Sequence, residues 1–132
     1  MGRERLLKVA LVAIGLLFSA GVYPLIGGLR NPANSDTGDT MMMSLYATLG
    51  IFLLLAARNP PAHRSLILFA ACSSFAHAVT MSIQGLEMAS ERTGFLIGSG
   101  ALAAIGLALI LLAPVRASAS GGQEGLPQTI PS

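Results

Sequence analysis

Four long apolar stretches, residues 6–29, 40–57, 65–86 and 93–114, fill most of this 132-residue chain, and the short segments between them hold most of its charge. A helix needs about 20 residues to cross a hydrocarbon core roughly 30 Å thick, so each stretch is long enough to span a bilayer. Backbone amides inside lipid must bond to one another, because the solvent there offers no partner. The chain is therefore predicted to be all-α: a polytopic membrane four-helix bundle with up-down-up-down connections. The stiff turn Arg58-Asn59-Pro60-Pro61, where prolines forbid helical continuation, and the six-residue segment 87–92 both imply antiparallel neighbours.

Composition narrows the function classes. Charged residues make up 11% of the chain, less than half of the usual share, and no soluble domain remains outside the spans. Residues 1–116 read as one transmembrane unit, and residues 117–132, rich in Ser, Gly, Gln and Pro, as a disordered cytoplasmic tail. The net charge of +2 does not point to nucleic acid, since its Lys and Arg flank the spans. Arg3, Arg5, Lys8, Arg58, Arg64 and Arg116 fall on one side of the bilayer, against Arg30 and Arg92 on the other. That bias predicts that both termini and the 58–64 loop are cytoplasmic. Small residues Ser19-Ala20-Gly21 would suit a signal-peptide cleavage site, but the apolar run continues to Leu29, so the first span is read as uncleaved. Cys72 has no second cysteine to pair with, which excludes thiol oxidoreductases that need a cysteine pair.

Local features refine the helices. Pro24 cannot donate to the carbonyl of Ala20, so a kink is expected in the second half of the first span. Asp39 or Thr40 is expected to cap the second helix. Its opening Met41-Met42-Met43 reads as apolar contact rather than a soft-metal site, because adjacent methionines point around three sides of a helix. In the fourth helix Gly94, Gly98, Gly100, Ala101, Ala104 and Ala108 recur at spacings that let backbones approach closely. They suit internal packing against helix one or three, or a homodimer face.

The third helix carries the main functional candidate. Ser73, His77, Thr80, Gln84 and Glu87 alternate at spacings of four and three, which places all five on one face. Exposure to lipid would be costly, so the stripe is expected to face the bundle interior or a water-filled crevice. With Tyr23 and Tyr46 at comparable depth it would form a polar pocket opening toward Glu87. Two readings stand: an interhelical hydrogen-bond network that specifies packing, or a ligand or proton-related site. No carboxylate is available at the depth of His77 to orient its ring, so no nucleophilic triad is credible and no catalytic residue is assigned. His63 belongs to a loop, so two axial haem ligands could come only from His77 of two protomers; no metal or cofactor is expected. Asp36, Asp39, Glu87 and Glu91 all sit at span ends, which disfavours a proton-coupled multidrug exporter. The expected function is non-enzymatic: binding of a small apolar ligand or a membrane-protein partner in the bilayer. The competing readings are a small transporter or permease-like subunit and, behind it, a membrane redox or haem protein.

The run Tyr46-Ala47-Thr48-Leu49-Gly50-Ile51-Phe52-Leu53-Leu54-Leu55-Ala56-Ala57, the turn Arg58-Asn59-Pro60-Pro61-Ala62-His63-Arg64 and the element Ser73-Ser74-Phe75-Ala76-His77 resemble a bacterial family of small four-helix membrane proteins of unknown function. Met81-Ser82-Ile83-Gln84 and Glu91-Arg92 extend the resemblance, which covers most of residues 5–114. The resemblance implies a bacterial inner-membrane location and a looser similarity to DoxX-like four-helix proteins, the latter as fold analogy. Family members usually carry a Gly-His pair soon after that Arg and an Asp further on. This chain has Thr93-Gly94-Phe95 and Ser99 there, so an ionisable pair is missing.

Overall fold

The computed structural model describes residues 2–115; the expected tail, residues 117–132, and Arg116 lie outside the described residues. The first span is two helices, α1 (Gly2–Ser19) and α2 (Val22–Arg30). It is followed by α3 (Thr37–Ala56), α4 (Arg64–Glu87) and α5 (Arg92–Leu112), with short 3₁₀ turns at Pro32–Asn34 and Pro60–His63. Counting the turn that leads into α4, the four spans run over 29, 20, 28 and 21 residues, and each is long and apolar enough to cross a membrane.

Pro24 accounts for the break in the first span. Its missing N–H leaves the Ala20 carbonyl without an i+4 donor, and the Tyr23 amide supplies one instead at 3.0 Å. The Gly21 amide turns to Phe18 O at 3.0 Å, so the backbone tightens for one turn before α2 resumes. At α3 the cap differs from expectation. Asp36, in extended conformation, accepts from the amides of Gly38 at 2.7 Å and Asp39 at 3.1 Å, so the helix starts a turn earlier than Asp39 or Thr40 would allow.

Packing is densest between α4 and α5 and between α1 and α3, which makes two antiparallel hairpins. The hairpins touch each other, α1 with α5 and α3 with α4, more sparsely. In the α1–α3 hairpin the backbones meet at glycine: a Cβ placed on Gly50 would lie 2.5 Å from the Ser19 amide nitrogen and 2.7 Å from the Gly15 carbonyl oxygen. In the α4–α5 hairpin, Gly106 lies under the Ala71 carbonyl and the Phe75 ring, while Gly98 receives the end of Met81. Gly94 and Gly100 have open space beside them, so the small residues of α5 divide between an internal and an outward face.

The buried core belongs mostly to one end. Leu7, Leu11, Ile14 and Phe18 form a stripe on α1 that meets Leu53, Ile67, Ala70, Ala71, Leu109 and Ala113. Here the α1 start, the 58–64 loop and the α5 end lie together with Arg3, Glu4, Arg5, Lys8, Arg58 and Arg64, and we call it the basic end. No residue of α2 is buried, nor any of α3 ahead of Ala47. The hairpins therefore close on each other at the basic end and stand less covered at the opposite, acidic end, which carries Asp36, Asp39, Glu87 and Glu91.

Candidate functional site

Phe18 of α1, Tyr46 of α3 and His77 of α4 meet in a row where the buried core gives way to the less covered half. Tyr46 stands edge-on to Phe18, with ring centroids 4.9 Å apart and planes at 82°. Its other neighbour is the His77 imidazole, 5.3 Å away at 67°. Such edge-to-face geometry sets the positive rim of one ring against the negative face of the next. The row joins the two hairpins at a level where little else does.

Of the seven residues expected to make a polar pocket, Tyr46 and His77 are brought together, and Ser73 lies one helical turn from His77, half-buried like both of them. Tyr23 does not join them in a buried pocket: its side chain is 87% exposed. Thr80, Gln84 and Glu87 share the His77 face of α4 but are exposed. Two hydroxyls are satisfied within their own helix, Ser73 donating to Ala70 O at 3.1 Å and Thr80 to Ala76 O at 3.1 Å. Among the described residues neither the His77 imidazole nor the Gln84 amide has a hydrogen-bond partner.

A different face of α4 wins the interior. Ala71, Ser74, Ala78 and Gly85 are buried, and their mean direction lies about 130° around the helix from the polar stripe at 3.6 residues per turn. Small side chains let α5 approach closely, and dispersion attraction summed along the whole hairpin outweighs hydrogen bonds that hydroxyls can make inside their own helix. The polar stripe is thereby left on a side of α4 turned away from α5, where His77 meets Tyr46.

Sequence reasoning missed the hydrogen bonds that tie the hairpins and their ends. Ser99 of α5 lies 2.6 Å from the Ser82 hydroxyl and 2.8 Å from the Ala78 carbonyl oxygen. Ser82 is also 2.9 Å from that same carbonyl, yet each hydroxyl has one proton to give. The arrangement that bridges the helices is Ser82 donating to Ser99 and Ser99 donating to Ala78. Small residues at positions 71, 74, 78, 82 and 85 were the available signal. At the helix ends, Arg92 donates to Gly85 O at 3.2 Å and Leu86 O at 3.3 Å, closing α4. Arg3 donates to Leu111 O at 2.9 Å and Ala113 O at 3.1 Å, and Arg64 to Pro114 O at 2.8 Å, closing α5. Each guanidinium offsets the negative end of a helix while filling its orphan carbonyls. Among the described residues one buried side-chain oxygen stays unpaired, the Ser19 hydroxyl pressed against Gly50.

Chemically the row offers one imidazole, one phenol and adjacent hydroxyls, groups that exchange hydrogen bonds. Among the described residues no three of His, Cys, Asp and Glu converge as metal ligands would. No curated protein and no solved structure matches the chain. A family model does match, over residues 2–127 and thus across all four spans, and the chain belongs to that family, DUF6632, a family of unknown function.

Proposed function

We propose that this protein is a non-enzymatic membrane component that binds a transmembrane helix of a partner protein along the polar stripe of α4, with His77 and Tyr46 at the centre of the contact. The observation that carries the reading is the stripe itself. It lies on a side of α4 turned away from α5, exposed from Thr80 to Glu87, with an imidazole and an amide that have no partner among the described residues, and lipid cannot satisfy them. From Ser73 to Glu87 it runs about 21 Å at 1.5 Å per residue, a length that matches a helix lying alongside rather than a small molecule. Partner hydroxyl, amide or small residues would meet it, as in other helix contacts within lipid. The surplus of Lys and Arg at the basic end supports an orientation with that end, and both termini, in the cytoplasm. A bacterial inner membrane is the location that the family resemblance suggests, with DoxX-like proteins as a fold analogy. The sparser burial toward the acidic end supports a second reading, a small apolar ligand or transported solute admitted from that end down to the Tyr46–His77 row.

The test is photo-cross-linking in native membranes from Thr80 and Gln84, with Ile97 on the outward side of α5 as the control position. A discrete protein adduct from Thr80 and Gln84, absent from Ile97 and lost with His77→Leu in a variant that still folds, is the expected result. Adducts to lipid alone from all three positions would overturn the proposal, and a small-molecule adduct from Thr80 would favour the second reading.

A further inference from the structure

The basic end contains a cavity of about 290 Å³ that has no part in the α4 stripe. It lies between the first turn of α1, the Pro60–Pro61 turn and the end of α5, with a lining that is mainly apolar: Leu7, Pro60, Leu112 and Val115 among others. Arg3 and Glu4 supply its charged rim. Lys8 pairs with Glu4 at 3.0 Å and offsets its charge. Arg64 does not line the cavity, but it donates to the carbonyl of Pro114, which does, and so lies beside it.

From these residues we propose a binding site for one anionic phospholipid, its phosphate against Arg3 and Arg64 and its glycerol and first methylenes in the apolar cavity. Three features converge on that ligand. The site sits where the spans begin and end, at headgroup level for a bundle of this length. Its two guanidiniums are only partly used. Arg3 gives two N–H groups to α5 carbonyls and Arg64 gives one, so of the five donors on each, three and four are left without partners among the described residues. Those carbonyls also hold both guanidiniums in place, which lowers the ordering cost of gripping a phosphate. Finally, the lining matches a molecule that is anionic at one end and hydrocarbon at the other. A free phosphate ion would leave the apolar walls unused, and a neutral lipid would leave the arginines uncompensated. Basic pockets between helix ends are a recognised setting for anionic headgroups. Arg5 and Arg58 share this end, but among the described residues neither lines the cavity nor donates a side-chain hydrogen bond to a residue that does.

Full-length protein in mild detergent, titrated with dioleoylphosphatidylglycerol or dioleoylphosphatidylcholine and read by native mass spectrometry, tests the site. One tightly held phosphatidylglycerol is expected, preferred over phosphatidylcholine on the order of tenfold, as two arginines near a headgroup would give. Val115→Trp should fill the cavity and reduce the preference to about twofold or less while leaving the arginine caps intact, since Val115 lies beyond the end of α5. Arg58→Gln removes an equal charge from the same end outside the cavity and should leave the preference within about twofold of wild type. Equal retention of the two lipids would overturn the proposal. So would a Val115→Trp variant that keeps the preference, or an Arg58→Gln variant that loses it as fully, because either result would trace the effect to the general field of the basic end.

Discussion

Replacing Gly50 with alanine tests the closest approach in the bundle. A Cβ there would stand 2.5 Å from the Ser19 amide nitrogen and 2.7 Å from both the Gly15 carbonyl oxygen and the Ser19 hydroxyl. Two of these three atoms are backbone, so relief requires α1 and α3 to separate rather than a side chain to rotate. Overpacking of this kind costs about 1–3 kcal/mol, and a backbone clash belongs at the upper end. The helix propensity gained by replacing glycine offsets at most about 1 kcal/mol. Gly50→Ala should therefore lower stability by roughly 2 kcal/mol, about a 30-fold change in the folding equilibrium. Two other glycines calibrate the result. At Gly98 the new methyl would meet Met81 Cε at 2.6 Å, the far end of a flexible side chain, so the cost should stay below about 1 kcal/mol. At Gly100 nothing lies within 4 Å, so the change should be neutral or stabilise by up to about 1 kcal/mol through helix propensity. Unfolding in mixed micelles of increasing SDS content, followed by circular dichroism, would rank the three variants. If Gly50→Ala and Gly100→Ala unfold at the same SDS fraction, α1 and α3 do not meet as closely as described and the reasoning fails.

The Ser82–Ser99–Ala78 chain predicts an asymmetric cycle in the same assay: Ser99→Ala should cost about 1 kcal/mol, Ser82→Ala less than half of that, and the double variant about as much as Ser99→Ala alone. Additive losses would mean that the hydroxyls act independently. For topology, a reporter active only in the cytoplasm, fused after Ser132, should give signal, and one active only outside, inserted at Gly38, should also give signal; silence of both in correctly inserted protein would reverse the orientation.

The number of spans, their antiparallel order and the break in the first one were legible in the chain, because lipid imposes the same demand on every backbone amide wherever its helix lies. Length and apolarity alone answer that demand, and Pro24 breaks it locally, by removing one donor. The cap of α3 was legible only to within a turn. Asp36, Asp39 and Thr40 all have capping side chains, and the choice of Asp36 depends on where the preceding 3₁₀ turn delivers the chain. Which face of α4 turns inward lay beyond the sequence. Polar spacing favoured the side of Ser73, His77 and Gln84, whereas small-residue spacing favoured Ala71, Ser74, Ala78 and Gly85. Both are helical patterns on one segment, and only the presence of α5, with Gly98 and Gly106 facing it, decides between them. Close approach is a property of two surfaces at once. For the same reason the meeting of Ser99 with Ser82, the row of Phe18, Tyr46 and His77, and the two arginines closing α5 belong to the tertiary structure: each joins groups far apart in the chain whose encounter depends on how the hairpins pack.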